Sequence, residues 1–108
     1  TCVRDYVHVS DIARAHLNAL HYLDTTPGFS VFNLGGGVGY TVKQIVVAAE
    51  QVSGRRLHID IAPRRPGDPA RLVASNRSAR EHLQWQPQVT SIERIIASAW
   101  KWHQAPRY

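Results

Sequence analysis

A chain of 108 residues has room for one small domain with a single core and not for two. Its 44% apolar content, three tryptophans and 19% charged residues exclude a disordered or fibrous chain. No apolar run approaches the roughly 20 residues that a bilayer requires, and no secretory leader pattern opens the chain, so a cytoplasmic protein with no membrane partner is expected.

The net charge of +5 rests on eleven arginines and two lysines against eight carboxylates. Such a balance suits phosphates, nucleotides or nucleic acid without choosing among them. The lone Cys2 cannot form an internal disulfide, and the six histidines never recur at i, i+4, so no metal centre is expected.

In chain order, Arg4 to Val9 predicts a short strand, with Arg4, Tyr6 and His8 on one side and Asp5 on the other. Ser10 and Asp11 read as the start of a helix whose apolar positions are Ile12, Ala15, Ala19, Leu20 and Leu23, ended by Pro27-Gly28. Phe29 to Leu34 predicts a buried strand running into the glycines at 35, 36, 37 and 39. Thr41 with Gln44 forms a capping box for a helix with the stripe Val42, Ile45, Val46, Ala49 and Val52, and Gly54 is its left-handed stop.

Leu57, Ile59 and Ile61 alternate with His58, Asp60 and Ala62 as in a half-exposed strand that ends at Pro63. The stretch APRRPGDPA, 62–70, enforces an extended loop. A short helix is predicted over 76–84, closed by a turn at Trp85, Gln86 and Pro87. Thr90 with Glu93 reads as a second capping box, opening a final helix to about Gln104. The class is α/β, in one unit over 1–108.

Three stretches carry possible chemistry. In FNLGGGVGYT, Gly35 and Gly37 match the first two positions of a dinucleotide fingerprint, but Tyr40 occupies the third. Asp60, the nearest acidic candidate for a ribose, lies too late and in mid-strand, so the loop reads as a tight strand-to-helix turn. In Arg64-Arg65-Pro66-Gly67-Asp68, two guanidiniums suit diphosphate oxygens and a carboxylate three residues on suits ribose hydroxyls; a solvated basic turn is the other reading. Arg4 beside Tyr6 is either a second phosphate clamp or a surface arginine paired with Asp5 or Asp11.

The catalytic inventory is empty: no nucleophile elbow, no lysine-bearing phosphate loop, and no tyrosine with a lysine four residues on. A nucleic-acid module would interleave aromatics with its basic residues, and none flank Arg64, Arg65 and Arg71, so nucleic acid is not expected as a partner.

The motifs TCVRDYVHVSDIARAH, FNLGGGVGYTV, APRRPGDPA and LQWQP, in this order and spacing, resemble the C-terminal part of the UDP-glucose 4-epimerases, within the extended short-chain dehydrogenase/reductases. The resemblance covers essentially the whole chain. It implies a C-terminal fragment of an extended Rossmann-type enzyme, with a few strands and about four helices. The NAD-binding half and the Ser and Tyr-x-x-x-Lys catalytic set would lie upstream of Thr1. It further implies UDP-glucose and UDP-galactose as substrates, NAD as the parent's cofactor and a homodimeric parent.

By that resemblance Arg4 and Arg65 contact the diphosphate and Asp68 the uridine ribose. Leu72 stands beside the sugar, where a small residue makes room for N-acetylated sugars and a tyrosine is common. No catalytic and no cofactor-binding residue is expected in this chain. A dehydratase or decarboxylase of the same family is the neighbouring reading.

Overall fold

In the computed structural model, which describes residues 1–108, a central strand β1 (Val3–Asp5) is flanked by β2 (Gly39–Thr41) and β3 (Arg71–Leu72). β2 runs antiparallel to β1 in the register Val3 to Thr41, Arg4 to Tyr40 and Asp5 to Gly39. β3 runs parallel, with Val3 opposite Arg71 and Arg4 opposite Leu72. Four helices accompany this small sheet: α1 (Val9–Thr25), α2 (Val42–Ser53), α3 (Arg77–Leu83) and α4 (Ile92–Gln104). The expected α/β class and the number of helices agree with this architecture.

Local chemistry sets the helix ends. At α2 the Thr41 hydroxyl accepts the Gln44 N–H while the Gln44 side chain accepts the Thr41 N–H, and Gly54 closes the helix at φ 67°. Two other starts differ from expectation. α1 is capped by His8, whose Nδ1 accepts the Ser10 N–H at 3.1 Å. Asp11 is thereby released to turn inward. α4 is capped by Ser91 and not Thr90: the Ser91 hydroxyl accepts the Arg94 N–H and donates to Glu93 Oε2 at 2.6 Å.

The core sits where α1 meets α3. Ala15, Ala79, Leu83 and Trp85 are buried together, with Val7, Ala19, Tyr22, Phe32 and Leu34 packed around them. Trp85, expected as part of a turn, is the largest apolar side chain in this core. The residues after α3 do reverse the chain, with Gln84 in the left-handed region, and that reversal drives the indole inward. A second contact joins α2 to α4, with Ala48 and Ile92 buried.

The single core is thin. Only 8 of 108 residues are buried, and the radius of gyration is 16.5 Å, against about 13 Å for a compact chain of this length. Two predicted strands, 29–34 and 57–61, also form no ladder. Both edges of β1 are filled by β2 and β3, and neither segment joins the outer edge of β2 or of β3. Phe32 and Leu34 still lean on the core, while Phe29 and Ile61 stand 92% and 94% exposed.

The glycines accordingly do not end a strand. They lead into one, since β2 begins at Gly39 and passes directly into α2.

Candidate nucleotide site

The proline-rich loop is bent back on itself by a turn. The Asp68 N–H donates to the Arg65 carbonyl at 3.3 Å, Pro66 occupies the second position, and Gly67 takes φ 79° at the third. This is the residue pattern of a type II turn, in which the third position requires a positive φ. The turn brings the ends of the tetrapeptide together, and Arg65 Nη2 lies 3.3 Å from Asp68 Oδ2.

β1 supplies the other half. Arg4 Nη2 donates to Asp68 Oδ1 at 2.5 Å, while its Nη1 donates to the carbonyls of Val3 and Pro69 at 2.8 and 2.9 Å. Arg4 is therefore fixed against the loop and pairs with neither Asp5 nor Asp11. Leu72 is opposite Arg4 in the parallel register, so the two side chains share a face of the sheet. The four residues singled out in the sequence, Arg4, Arg65, Asp68 and Leu72, thus converge on one corner.

The two arginines differ in their hold. Arg4 and Asp68 are mostly covered, whereas Arg65 is 85% exposed and Arg64 is exposed without an ion pair. Partial burial pushes the Asp68 carboxyl up, but the Arg4 charge, the Arg65 hydrogen bond and charge, and the Arg4 hydrogen bond outweigh it and hold the pKa below the ordinary 3.8. Two guanidinium charges against one carboxylate leave the corner net positive. Cys2, read in the sequence only for disulfide and metal chemistry, places its Sγ 3.8 Å from Asp68 Oδ2. Its place one residue before β1 gave no signal of that contact.

The glycine loop does not fit NAD. An amide that would meet a pyrophosphate is already taken: the Gly36 N–H donates to Asp5 Oδ1 at 2.8 Å. A side chain at Gly35 would lie 2.5 Å from Asp5 Oδ2, and one at Gly39 would strike Val3 and Val73. Gly35, Gly36 and Gly39 are closed off by the protein's own packing. An open cleft of about 420 Å³ beside Gly37, lined by Asn76, Arg77, Arg80 and Glu81, contains none of the four corner residues. No group of histidine, cysteine or carboxylate side chains is arranged to hold a metal ion, and no helix is long and apolar enough to cross a membrane.

No family model matches the chain. It is 52% identical over 103 residues to the UDP-glucose 4-epimerase of Streptococcus mutans, an alignment covering 95% of this chain and 31% of that protein. A crystal structure of a UDP-glucose 4-epimerase superposes with a TM-score of 0.90 at 45% identity, over 98% of this chain and 32% of that one. The UDP-glucose 4-epimerase of Bifidobacterium longum, solved in complex with NAD+ and UDP, superposes at 0.89 with 37% identity, again over 98% of this chain and 31% of that one.

The chain thus spans about three-tenths of the length of the relatives it matches. Over that length, in sequence and in fold, it is similar to the UDP-glucose 4-epimerases.

Proposed function

We propose that this chain supplies the nucleotide anchor of a UDP-sugar 4-epimerase and none of its catalytic groups. The observation that carries the reading is the convergence of Arg4, Arg65 and Asp68 from segments more than 60 residues apart on one net-positive corner. Each group has a task suited to its chemistry. Arg65, exposed on its turn, swings onto the diphosphate, and Arg4 offers its remaining N–H groups from a fixed position. Asp68, kept ionised by its arginines, accepts hydrogen bonds from the ribose hydroxyls. Leu72, beside Arg4, faces the sugar.

The parent activity is the interconversion of UDP-glucose and UDP-galactose. Its intermediate must stay bound while the sugar turns over, and that calls for binding energy spent away from the reacting carbon. A diphosphate clamp provides it without restraining the hexose. The NAD present in solved relatives would be held by residues that this chain does not contain. The thin core supports the same reading, because apolar side chains such as Phe29 and Ile61 face solvent where a larger body would cover them.

Calorimetric titration with UDP and with UMP provides the check. Binding of UDP, weaker binding of UMP, and loss of UDP affinity in Arg65→Ala and Asp68→Ala are expected. Unchanged affinity in both variants would remove the assignment. In an assay with NAD and UDP-galactose, the 108-residue chain alone is expected to show no turnover, and measurable epimerisation would contradict the division of labour.

A further inference from the structure

Arg4 and Asp68 meet across an unusually short ladder. β1 and β3 share only two residue pairs, Val3 with Arg71 and Arg4 with Leu72, and Asp68 lies three residues before β3 begins. Two ladder positions give a strand little to prevent it from slipping or splaying. Something beyond the ladder has to hold β3 against β1.

Asp5, the last residue of β1, does this with its side chain. Oδ1 accepts the Gly36 N–H at 2.8 Å and Oδ2 accepts the Ala74 N–H at 3.2 Å. The carboxylate therefore ties three segments together: β1, the glycine loop, and the chain leaving β3. The packing is close enough that a Cβ at Gly35 would fall 2.5 Å from Asp5 Oδ2 and 2.8 Å from the Ala74 Cβ. Asn76 closes the far side of the same knot, donating Nδ2–H to the Gly35 carbonyl at 2.9 Å. No cation pairs with Asp5, so its charge is met by backbone amides alone.

We propose that Asp5 is a positioning residue for the nucleotide anchor: by holding the chain that leaves β3 in register with β1, its carboxylate sets Arg4 against Asp68. Asp5 touches no ligand in this scheme and acts through its neighbour. The inference rests on the reading of Arg4, Arg65 and Asp68 as a UDP anchor, but half of its test does not depend on UDP.

The residue-specific variant is Asp5→Asn. The amide keeps one acceptor for Gly36 and turns an N–H toward the Ala74 N–H, so the β3 side of the tie is replaced by two opposed donors. The first measurement is the carboxyl titration of Asp68 by carbon NMR, which reports how closely Arg4 and Arg65 face it. In Asp5→Asn the Asp68 pKa is expected to rise toward 3.8. In the control Asn76→Ala, which cuts the knot away from β1 and β3, it is expected to stay low even though stability falls. A purely structural Asp5 would leave the Asp68 titration of the folded protein unmoved, or would move it equally in both variants; either result overturns the proposal.

The second measurement is the UDP dissociation constant, expected to weaken about tenfold in Asp5→Asn, the effect of one misplaced charge-assisted contact. If the wild-type chain fails to bind UDP while Asp5→Asn still raises the Asp68 pKa, the anchor reading falls and the positioning role stands. If Arg65→Ala weakens UDP but Asp5→Asn does not, the positioning role falls. Asp5→Ser, which keeps one oxygen acceptor in a smaller side chain, answers the same question should Asp5→Asn fail to fold.

Discussion

The indole Nε1–H of Trp85 donates to the main-chain carbonyl of Asp11 at 2.8 Å, joining the two most deeply buried large residues across 74 positions of chain. The Asp11 carboxylate completes the junction by accepting the Gln88 and Val89 N–H groups, each at 3.0 Å, while Arg14 Nη1 lies 3.0 Å from its Oδ1. One pair of residues thus fastens the start of α1 to the segment that leads into α4. Because so little else is buried, this junction carries a large share of the stability.

Trp85→Ala is therefore expected to cost about 3–5 kcal/mol, the usual range for emptying a buried aromatic site. Trp85→Phe keeps most of the volume and loses the hydrogen bond, for about 1–2 kcal/mol. Urea unfolding followed by circular dichroism separates the two; equal losses would show that the hydrogen bond, and not the volume, dominates.

Stability should also fall in acid through Asp11. Burial pushes its carboxyl up, but the N–H groups of Val89 and Gln88, then the hydrogen bond and charge of Arg14, outweigh this and hold the pKa below 3.8. A folded-state pKa below the unfolded value means that the unfolded chain binds the proton more readily. The contribution is complete above the ordinary carboxylate range and is lost as pH falls through the folded pKa. Asp11→Asn should lower the urea midpoint at neutral pH and flatten its decline in acid; an unchanged acid limb would place the sensitivity elsewhere.

Two glycine substitutions should separate strain from collision. Gly54→Ala puts a methyl group into open space at φ 67° and costs about 1 kcal/mol, the penalty of the left-handed conformation. Gly35→Ala drives a methyl group onto the Asp5 carboxylate and the Ala74 side chain, at a cost of about 1–3 kcal/mol. It should also loosen the tie between β1 and β3. Thermal melts of both variants rank them, and a costlier Gly54→Ala would reverse the argument.

The two arginines of the proposed anchor should divide by what else they hold. Arg65 is exposed, so Arg65→Ala should leave stability within about 0.5 kcal/mol of wild type while weakening UDP about tenfold. Arg4→Ala strips donors from the Val3 and Pro69 carbonyls and leaves Asp68 with one arginine, so stability and affinity should fall together. Melting temperatures and UDP titrations on the same samples decide this; an Arg4→Ala chain with wild-type stability would show that its carbonyl contacts are slack.

Features decided within a turn or two of chain were legible in the sequence alone. The Thr41 and Gln44 box, the Gly54 stop and the end of α4 at Gln104 each depend on backbone groups no more than four residues apart, whereas the stretch 62–70, expected as an extended loop, turns back at Arg65-Pro66-Gly67-Asp68. In the proposed anchor, the closeness of Arg65 to Asp68, three residues apart, was legible for the same reason. Assembly of the whole was not, because Arg4 and Asp68 meet across 64 residues and no local pattern records that contact.

Tertiary structure decided the rest by supplying or withholding partners. Segments 29–34 and 57–61 have the residue pattern of strands and form none, since a strand exists only where another backbone pairs with it. Trp85 reads as a turn residue and becomes core because α1 and α3 close over it. Asp11 and Asp5 read as a helix starter and a residue within a strand; both become ties, because a partly desolvated carboxylate is stable only where donors from distant segments reach it. Propensity and pattern are properties of neighbours in the chain, whereas burial and long-range hydrogen bonds belong to neighbours in space.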